Sequence, residues 1–137
     1  MKLIRLATQE TVSLEDGFLW SDEFDWKSKA QTQEYAIDGS LIVQEGTKLS
    51  GRPITLTASN GQGWVKRRDL RTLMAWSALG EQFTLQFEYL HDRRTFNVIF
   101  NHEAGAIEAK PVLEHPTVSE DDYYAVTLRF TELNNAD

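Results

Sequence analysis

Apolar and polar residues alternate along much of the chain with a period of two. The alternation covers residues 83–89, 96–100 and 124–130, where aromatic and branched side chains take every second position. Because successive side chains of a strand point to opposite faces, this pattern predicts three half-buried strands. The polar residues 91–94 separate the first two segments, so we expect these two strands to form a hairpin.

A second hairpin is predicted around Asp38-Gly39-Ser40. Apolar runs at 35–37 and 41–43 flank these three residues, and glycine supplies the positive φ that a tight turn needs. Pro111 indicates a strand end or an edge strand, because proline donates no hydrogen bond to a ladder. Shorter strands are predicted at residues 3–6, 54–57 and 107–112.

One segment follows a helical period instead. Between Lys66 and Leu79, alanines favour a helix, and Gly80 is a natural C-terminal stop. We predict one helix over about 66–79, with Leu73 and Trp76 facing the sheet. The apolar residues at near-helical spacing are Leu70, Leu73, Met74 and Trp76.

These elements predict a mainly β fold, an antiparallel β-sandwich or barrel with one flanking α-helix. No alternation of strands and helices is present that would indicate a parallel sheet. The 137 residues are expected to form a single domain over 1–137. Loops are expected at about 15–30 and 113–122, where the sequence is acidic and irregular.

Composition narrows the class of protein further. The net charge is −7, which opposes non-specific binding to nucleic acid, since such binding depends on neutralising phosphates. The absence of cysteine excludes disulfides, zinc–thiolate sites and a cysteine nucleophile. The first residues become polar too early for a signal peptide, and no apolar run approaches the ~18 residues of a membrane span. We therefore expect neither a membrane nor a specific nucleic acid as a partner.

Catalytic and metal-binding patterns are weak. The histidines His91, His102 and His115 are 11 and 13 residues apart, which fits neither two ligands on one helix face nor a hairpin clip. Acidic clusters at 22–25 and 120–122 lie in polar segments, where water keeps carboxylates ionised. Serine-nucleophile motifs are absent from the sequence. We expect no catalytic, cofactor-binding or metal-binding residues.

Two tryptophans, Trp20 and Trp26, lie in a short acidic segment that also contains Phe24. Three roles fit them: covering the open end of a barrel, contacting another subunit, or stacking against a sugar. Tryptophan is enriched at the centres of protein interfaces. We name Trp20 and Trp26 as candidates for a subunit contact, with the other two roles open.

Four cations open the predicted helix. Positive charge at a helix N-terminus opposes the macrodipole and costs about a few tenths of a kcal/mol or more per residue. A compensating anion is therefore expected from outside the helix. Acidic loops of a neighbouring copy, nucleic acid and simple solvation are the alternatives, and we favour a subunit contact. The four residues are Lys66, Arg67, Arg68 and Arg71.

A further set of motifs runs from residue 51 to the last predicted strand. The strand Gly51-Arg52-Pro53-Ile54-Thr55-Leu56 is followed by Gly63-Trp64-Val65 and by the helical Leu70-Arg71-Thr72-Leu73. The last strand begins with Asp122-Tyr123-Tyr124-Ala125-Val126-Thr127-Leu128. In these motifs, and in the order of elements over roughly 30–132, the chain resembles small tail proteins of long-tailed bacteriophages and prophages. These include the tube-forming and distal-tail (baseplate) proteins.

The resemblance implies a structural, non-catalytic subunit that assembles as a ring, usually a hexamer. It also implies other tail proteins as partners, the virion tail as the location, and the host cytoplasm during assembly. Unlike many distal-tail proteins, the chain lacks a second domain, so tube, distal-tail and adaptor positions all stay open. The alternative function is a small carbohydrate-binding β-sandwich module.

Overall fold

The structure, a computed structural model, describes residues 1–14, 17–58, 61–112 and 119–133. Within these ranges the chain is mainly β, with a large antiparallel sheet and one helix, as the sequence predicts. The elements in chain order are β1 (Lys2–Arg5), β2 (Thr11–Ser13), β3 (Leu19–Trp20), β4 (Lys29–Tyr35), β5 (Leu41–Thr47), β6 (Pro53–Thr57), β7 (Trp64–Lys66), α1 (Arg67–Ser77), β8 (Phe83–Gln86), β9 (Thr95–Phe100), a 3-10 helical turn (His102–Ala104), β10 (Ile107–Pro111) and β11 (Tyr123–Glu132).

Strand β11 is the central strand of the sheet. It pairs with four others, β6 and β7 along one edge and β9 and β10 along the opposite edge. The Glu132 N–H donates to the Arg52 carbonyl oxygen on the β6 side, whereas the Arg129 N–H donates to the Ala106 carbonyl oxygen on the β10 side. Alternate residues of a strand bond to opposite neighbours. One ten-residue strand therefore joins both halves of the sheet.

The other strands extend the sheet outward from β11. On the β9 side the order continues through β8 and β1 to β2, and on the other side β3 pairs with β6. The predicted hairpin around 91–94 joins β8 to β9, with Phe83 opposite Val98 and Leu85 opposite Phe96. The alternation in the sequence thus places these apolar side chains on the core face.

The two predicted loops differ from expectation in part. The interval 15–30 contains β3 and the first two residues of β4, because Leu19 and Trp20 pair with Thr57 and Leu56 of β6. Of the predicted loop 113–122, residues 113–118 lie outside the described residues. Residues 119–122 form a turn that leads into β11.

The core lies between the inner face of the sheet and the helix. Aromatic rings connect the two layers: Trp76 stacks on Phe83 at 5.5 Å between ring centroids, and Phe83 meets Phe100 edge-on at 5.2 Å. Such pairs contribute about 0.5–1.5 kcal/mol beyond the burial of their area. The largest fully buried side chains are Leu3, Ile54, Leu56, Leu73, Phe83, Leu85, Val98, Val126, Leu128 and Phe130.

Helix α1 covers the core with one face. Leu70, Leu73 and Trp76 are buried, whereas Met74 is half exposed, so the apolar stripe is narrower than the sequence suggests. The helix ends as the Ala78 N–H donates to the Ala75 carbonyl oxygen. Within the described part of the chain, no helix has both the length and the apolarity to cross a bilayer.

The buried position of Leu73 leads to a stability prediction. We expect Leu73→Ala to lower the free energy of unfolding by about 2–5 kcal/mol, because the lost side chain leaves a cavity under the helix. The matched control is the neighbouring Met74→Ala, which removes an exposed side chain and is expected to change stability by about 0.5 kcal/mol or less. Urea unfolding measures both variants, and equal midpoints would mean that the helix is not packed as described.

Candidate assembly surface

Strands β4 and β5 form a hairpin that stands apart from the body of the protein. We call residues 29–47, which comprise β4, β5 and their turn, the arm. Among the described residues β4 and β5 pair only with each other, over seven residue pairs from Lys29 opposite Thr47 to Tyr35 opposite Leu41. Every side chain of both strands is exposed. The arm therefore contributes nothing to the core.

The turn of the arm is closed by local hydrogen bonds. Gly39 has φ of 88°, and its N–H donates to the Ala36 carbonyl oxygen at 2.9 Å. The Ser40 N–H donates to Asp38 Oδ1 at 2.9 Å. Hydrogen bonds from Ser40 lower the pKa of the Asp38 carboxyl. These contacts explain why the predicted Asp-Gly hairpin forms without support from the body.

The two ends of the arm differ in chemistry on one face. Near the body this face carries polar pairs, with Lys29 Nζ donating to Thr47 Oγ1 at 3.1 Å and Gln31 Nε2 donating to Glu45 Oε1 at 2.6 Å. Toward the turn it carries apolar side chains instead. On this face the exposed apolar residues are Tyr35, Leu41 and Val43, whereas the exposed Ile42 lies on the opposite face and the exposed Ile37 lies in the turn. Contiguous exposed apolar side chains are typical of surfaces that bind a partner.

Both long edges of the arm also expose backbone groups. The Ala36 N–H donates to the Ser40 carbonyl oxygen, and the Lys48 N–H donates to the Ser28 carbonyl oxygen. Since bonding alternates along an antiparallel pair, the even-numbered residues bond across the arm and the odd-numbered residues point outward. On β5 the outward residues are Leu41, Val43, Glu45 and Thr47.

The four predicted interface cations lie together at the start of α1, but their compensating charge comes from the same chain. Glu120 Oε1 accepts from Arg67 and Arg71, each at 3.3 Å. Asp121 pairs with Arg68 and lies 3.9 Å from Lys66 Nζ. The expected acid of a neighbouring copy is therefore not required to explain these cations.

The same acidic turn caps the helix with its backbone. The Arg67 N–H donates to the Asp122 carbonyl oxygen at 2.8 Å, and the Arg68 N–H donates to the Glu120 carbonyl oxygen at 3.1 Å. Lys66, at the N-cap position, makes no side-chain cap. Residues 120–122 thus accept hydrogen bonds from the first two N–H groups of the helix, and their carboxylates balance the positive charge at this end of the helix.

The two tryptophans occupy different environments. Trp20 packs against the core and stacks on Phe87 at 5.5 Å, while the guanidinium carbons of Arg52 and Arg94 lie 4.7 and 5.1 Å from its ring centroid. Trp26 is half buried near the base of the arm, with Lys48 Nζ 5.7 Å from its ring. Of the two, only Trp26 lies beside the arm.

Two carboxylates hold Arg94 over the Trp20 ring. Asp92 and Glu23 both accept hydrogen bonds from Arg94. These hydrogen bonds lower the pKa of the Asp92 carboxyl, with Arg94 as the main cause. Trp20 is therefore a packed part of the fold.

A cleft of about 450 Å³ lies between β2, β7 and the start of α1. The rings of Trp64 and Tyr123 meet in it at 5.9 Å with a tilt of 45°. This pair is not evident from the sequence, because the two residues are 59 positions apart and the pairing of β7 with β11 brings them together. The lining residues are Ser13, Trp64, Val65, Lys66, Asp69 and Tyr123.

His91 and His102 have different neighbours in the structure. His91 stacks on Tyr89, and His102 Nε2 lies 2.7 Å from the Ser77 carbonyl oxygen at the end of α1. His115 lies outside the described residues. The described ranges contain no group of three acidic or histidine side chains arranged to hold a metal ion.

Comparison of the chain with protein-family models, with curated proteins and with solved structures gives no match.

The acidic turn at the helix start leads to a second stability prediction. We expect Glu120→Gln with Asp121→Asn to lower the free energy of unfolding by about 1–2 kcal/mol, because exposed ion pairs contribute about 0–1 kcal/mol each and four cations then oppose the helix dipole. The loss is expected to shrink in 1 M NaCl, where the Debye length falls to about 3 Å.

The matched control for this prediction is Asp25→Asn with Glu34→Gln, which removes the same charge from two exposed residues. This control is expected to change stability by about 0.5 kcal/mol or less. Thermal or urea unfolding at low and high salt measures both double variants. An equal loss in both would show that the turn does not compensate the cations.

Proposed function

We propose that the chain is a structural, non-catalytic subunit that assembles with copies of itself into a phage-tail-like ring or tube. The observation that carries this proposal is the arm, a hairpin whose apolar outer half and two backbone edges are all exposed. The motif resemblance to small phage tail proteins supplies the biological setting. It makes a hexameric ring, contacts with other tail proteins and a place in the virion tail part of the same proposal.

The energetics of the arm support a partner. A two-stranded hairpin alone is marginally stable in water, and it gains stability from a third strand or from packing of one face. Exposed strand edges in soluble proteins are usually short, charged or covered. The outer half of β5 is neutral and apolar at Leu41, Ile42 and Val43, each between 41% and 49% exposed. A second subunit that covers this segment would stabilise the hairpin and would also bury its exposed apolar edge.

The two tryptophans and the four cations that the sequence suggests as contact residues support this proposal to different degrees. Trp26, beside the base of the arm, is placed to be covered by an arm-mediated contact. Trp20 is held within the fold by stacking. The four cations at the start of α1 have partners in their own chain, so their part in a subunit contact stays a prediction.

Carbohydrate binding is the second candidate, and the cleft between β2, β7 and α1 favours it. Trp64 and Tyr123 provide aromatic surface there, and Lys66, Asp69 and Ser13 provide polar groups around it. Small-molecule sites combine these two kinds of lining. This candidate uses a different part of the molecule from the arm, so the two functions are tested separately.

Excision of the arm tests the assembly proposal. Residues 29–47 are replaced by Asn-Gly, a dipeptide that joins antiparallel strands, between Ser28 and Lys48, which are already hydrogen bonded at 2.7 Å. We expect the variant to unfold cooperatively with a similar midpoint, since the arm buries nothing. We also expect it to stay monomeric at concentrations where the full chain forms rings.

Sedimentation velocity and native mass spectrometry across the micromolar range measure the assembly of both proteins, and negative-stain electron microscopy identifies rings. A full chain that is monomeric throughout would overturn the proposed function. Assembly of the excised variant equal to that of the full chain would show that the arm is not the assembling element.

A fluorescence titration tests the second candidate. If the cleft binds sugars, a glycan from a broad panel is expected to change the tryptophan emission of the wild-type chain. Tyr123→Ala is then expected to weaken binding by tenfold or more, and Tyr35→Ala, an exposed tyrosine on the arm, is the control that leaves it unchanged. A flat response across the panel would remove this candidate.

A further inference from the structure

Strand β10 has one edge that no described strand covers. It pairs with β11 alone, and its residues are exposed or half buried. The Arg129 N–H donates to the Ala106 carbonyl oxygen and the Val112 N–H donates to the Tyr123 carbonyl oxygen. Because bonding alternates, the N–H and C=O groups of Ile107 and Ala109 point away from β11. Pro111 has no N–H, so it ends this open edge.

An apolar groove lies beside the open edge. It encloses about 380 Å³ between the second half of α1 and the start of β10. Ile107 and Ala109 lie opposite Leu128 and Val126, whose side chains are fully buried, so the odd-numbered residues of β10 lie on the core face. Ile107 also lines the groove, so the groove opens on this face. The lining residues are Met74, Ser77, Ala78, His102, Ala106 and Ile107.

The outward edge of β5 has the complementary pattern. Leu41 and Val43 direct their backbone groups off the edge of the arm, and their side chains lie on the same face as Tyr35. On the outward edge of β4, by contrast, Tyr35 is accompanied by Lys29, Gln31 and Gln33. Of the two edges of the arm, the β5 edge is thus the one where two neighbouring outward-pointing residues, Leu41 and Val43, both carry apolar side chains.

We propose that β5 of one copy adds in antiparallel fashion to the open edge of β10 in the next copy, with Leu41 opposite Ala109 and Val43 opposite Ile107. This inference rests on the proposed function and names the surface that receives the arm. Residues directly opposite in a strand pair share a face. The pairing that joins the backbones therefore also places Leu41 and Val43 on the side of the groove. Strand addition of this kind draws affinity from the main chain and specificity from side-chain pockets.

A shift by one residue breaks this match. It would place inward-bonded residues of the arm against the open groups of β10 and turn Leu41 and Val43 to the opposite face. The proposed register uses four backbone hydrogen bonds, two from Ile107 and two from Ala109. It also brings Lys110 opposite Ser40, next to the turn that carries the Asp38 carboxylate, so an opposite charge lies at the end of the contact.

The position of the two surfaces makes the contact head-to-tail. The arm lies between β3 and β6 in the chain and joins the body on the β6 side of β11, whereas β10 lies on the other side. An interface between two different surfaces of identical subunits repeats from copy to copy, and it forms a closed ring when the rotation closes. A second copy of this chain is therefore the occupant that the geometry favours.

Disulfide cross-linking tests the register, and the natural chain has no cysteine to interfere. The variant Leu41→Cys with Ala109→Cys puts two thiols at a hydrogen-bonded pair, whose Cα atoms are about 5.5 Å apart, within disulfide range. We expect mild oxidation of the assembled protein to give covalent multimers in high yield. The controls are Thr47→Cys with Ala109→Cys, about 20 Å out of register in the same strand, and Leu41→Cys alone. Both are expected to give at least tenfold less cross-linking.

Hydrogen exchange on the unmodified chain gives an independent measurement that does not depend on the folding of a variant. On assembly, the amides of Ile107, Ala109, Leu41 and Val43 are expected to slow by tenfold or more. Assembly without this protection, or with equal cross-linking in the target and control pairs, would overturn the proposed contact and leave the proposed function standing. Cross-linking through Leu41→Cys alone would show that arms pair with arms. A chain that never assembles would overturn both proposals.

Discussion

The pairing of β11 on both of its edges is the constraint on which the rest of the structure depends. Its ten residues bond β6 and β7 on one side and β9 and β10 on the other. The strand also contributes three fully buried side chains to the core, those of Val126, Leu128 and Phe130. Because the arm is connected through one side and the open β10 edge lies on the other, β11 sets the distance between the two surfaces on which assembly is proposed to depend.

Helix α1 depends on β11 as well, through the turn that precedes it. Residues 120–122 lie next to the helix start because β7 pairs with the first residues of β11. The carboxylates of Glu120 and Asp121 then meet the helix cations, and backbone carbonyl oxygens of the turn accept the first helix N–H groups. The cations at the start of the helix oppose its dipole. Carboxylates about 50 positions away in the sequence balance them in the folded structure.

The sequence predicts local features well and long-range ones poorly. Period-two alternation follows from strand geometry alone, so β8, β9 and β11 are recognisable, and the Asp38-Gly39 turn needs only its own hydrogen bonds. The two-residue strand β3 depends on pairing with β6, and the acidic partner of the cations depends on β11, so neither is visible in the sequence. The exposure of Leu41, Ile42 and Val43 is the main surprise, since such a run is typical of a core strand. The signal available was the sequence of β4, whose residues 31–34 are all polar and offer no apolar face against which this run could pack.

The two edges of the arm are unequal, and this inequality bears on solubility before assembly. Chains with two identical apolar edges stack without limit into fibres, as in cross-β structures. On the arm, the β4 edge presents Lys29, Gln31 and Gln33 outward, and a lysine and long polar side chains discourage further strands from adding there. The arm therefore has apolar side chains at Leu41 and Val43 on one edge and mostly polar side chains on the other, and the polar edge disfavours the addition of a further strand.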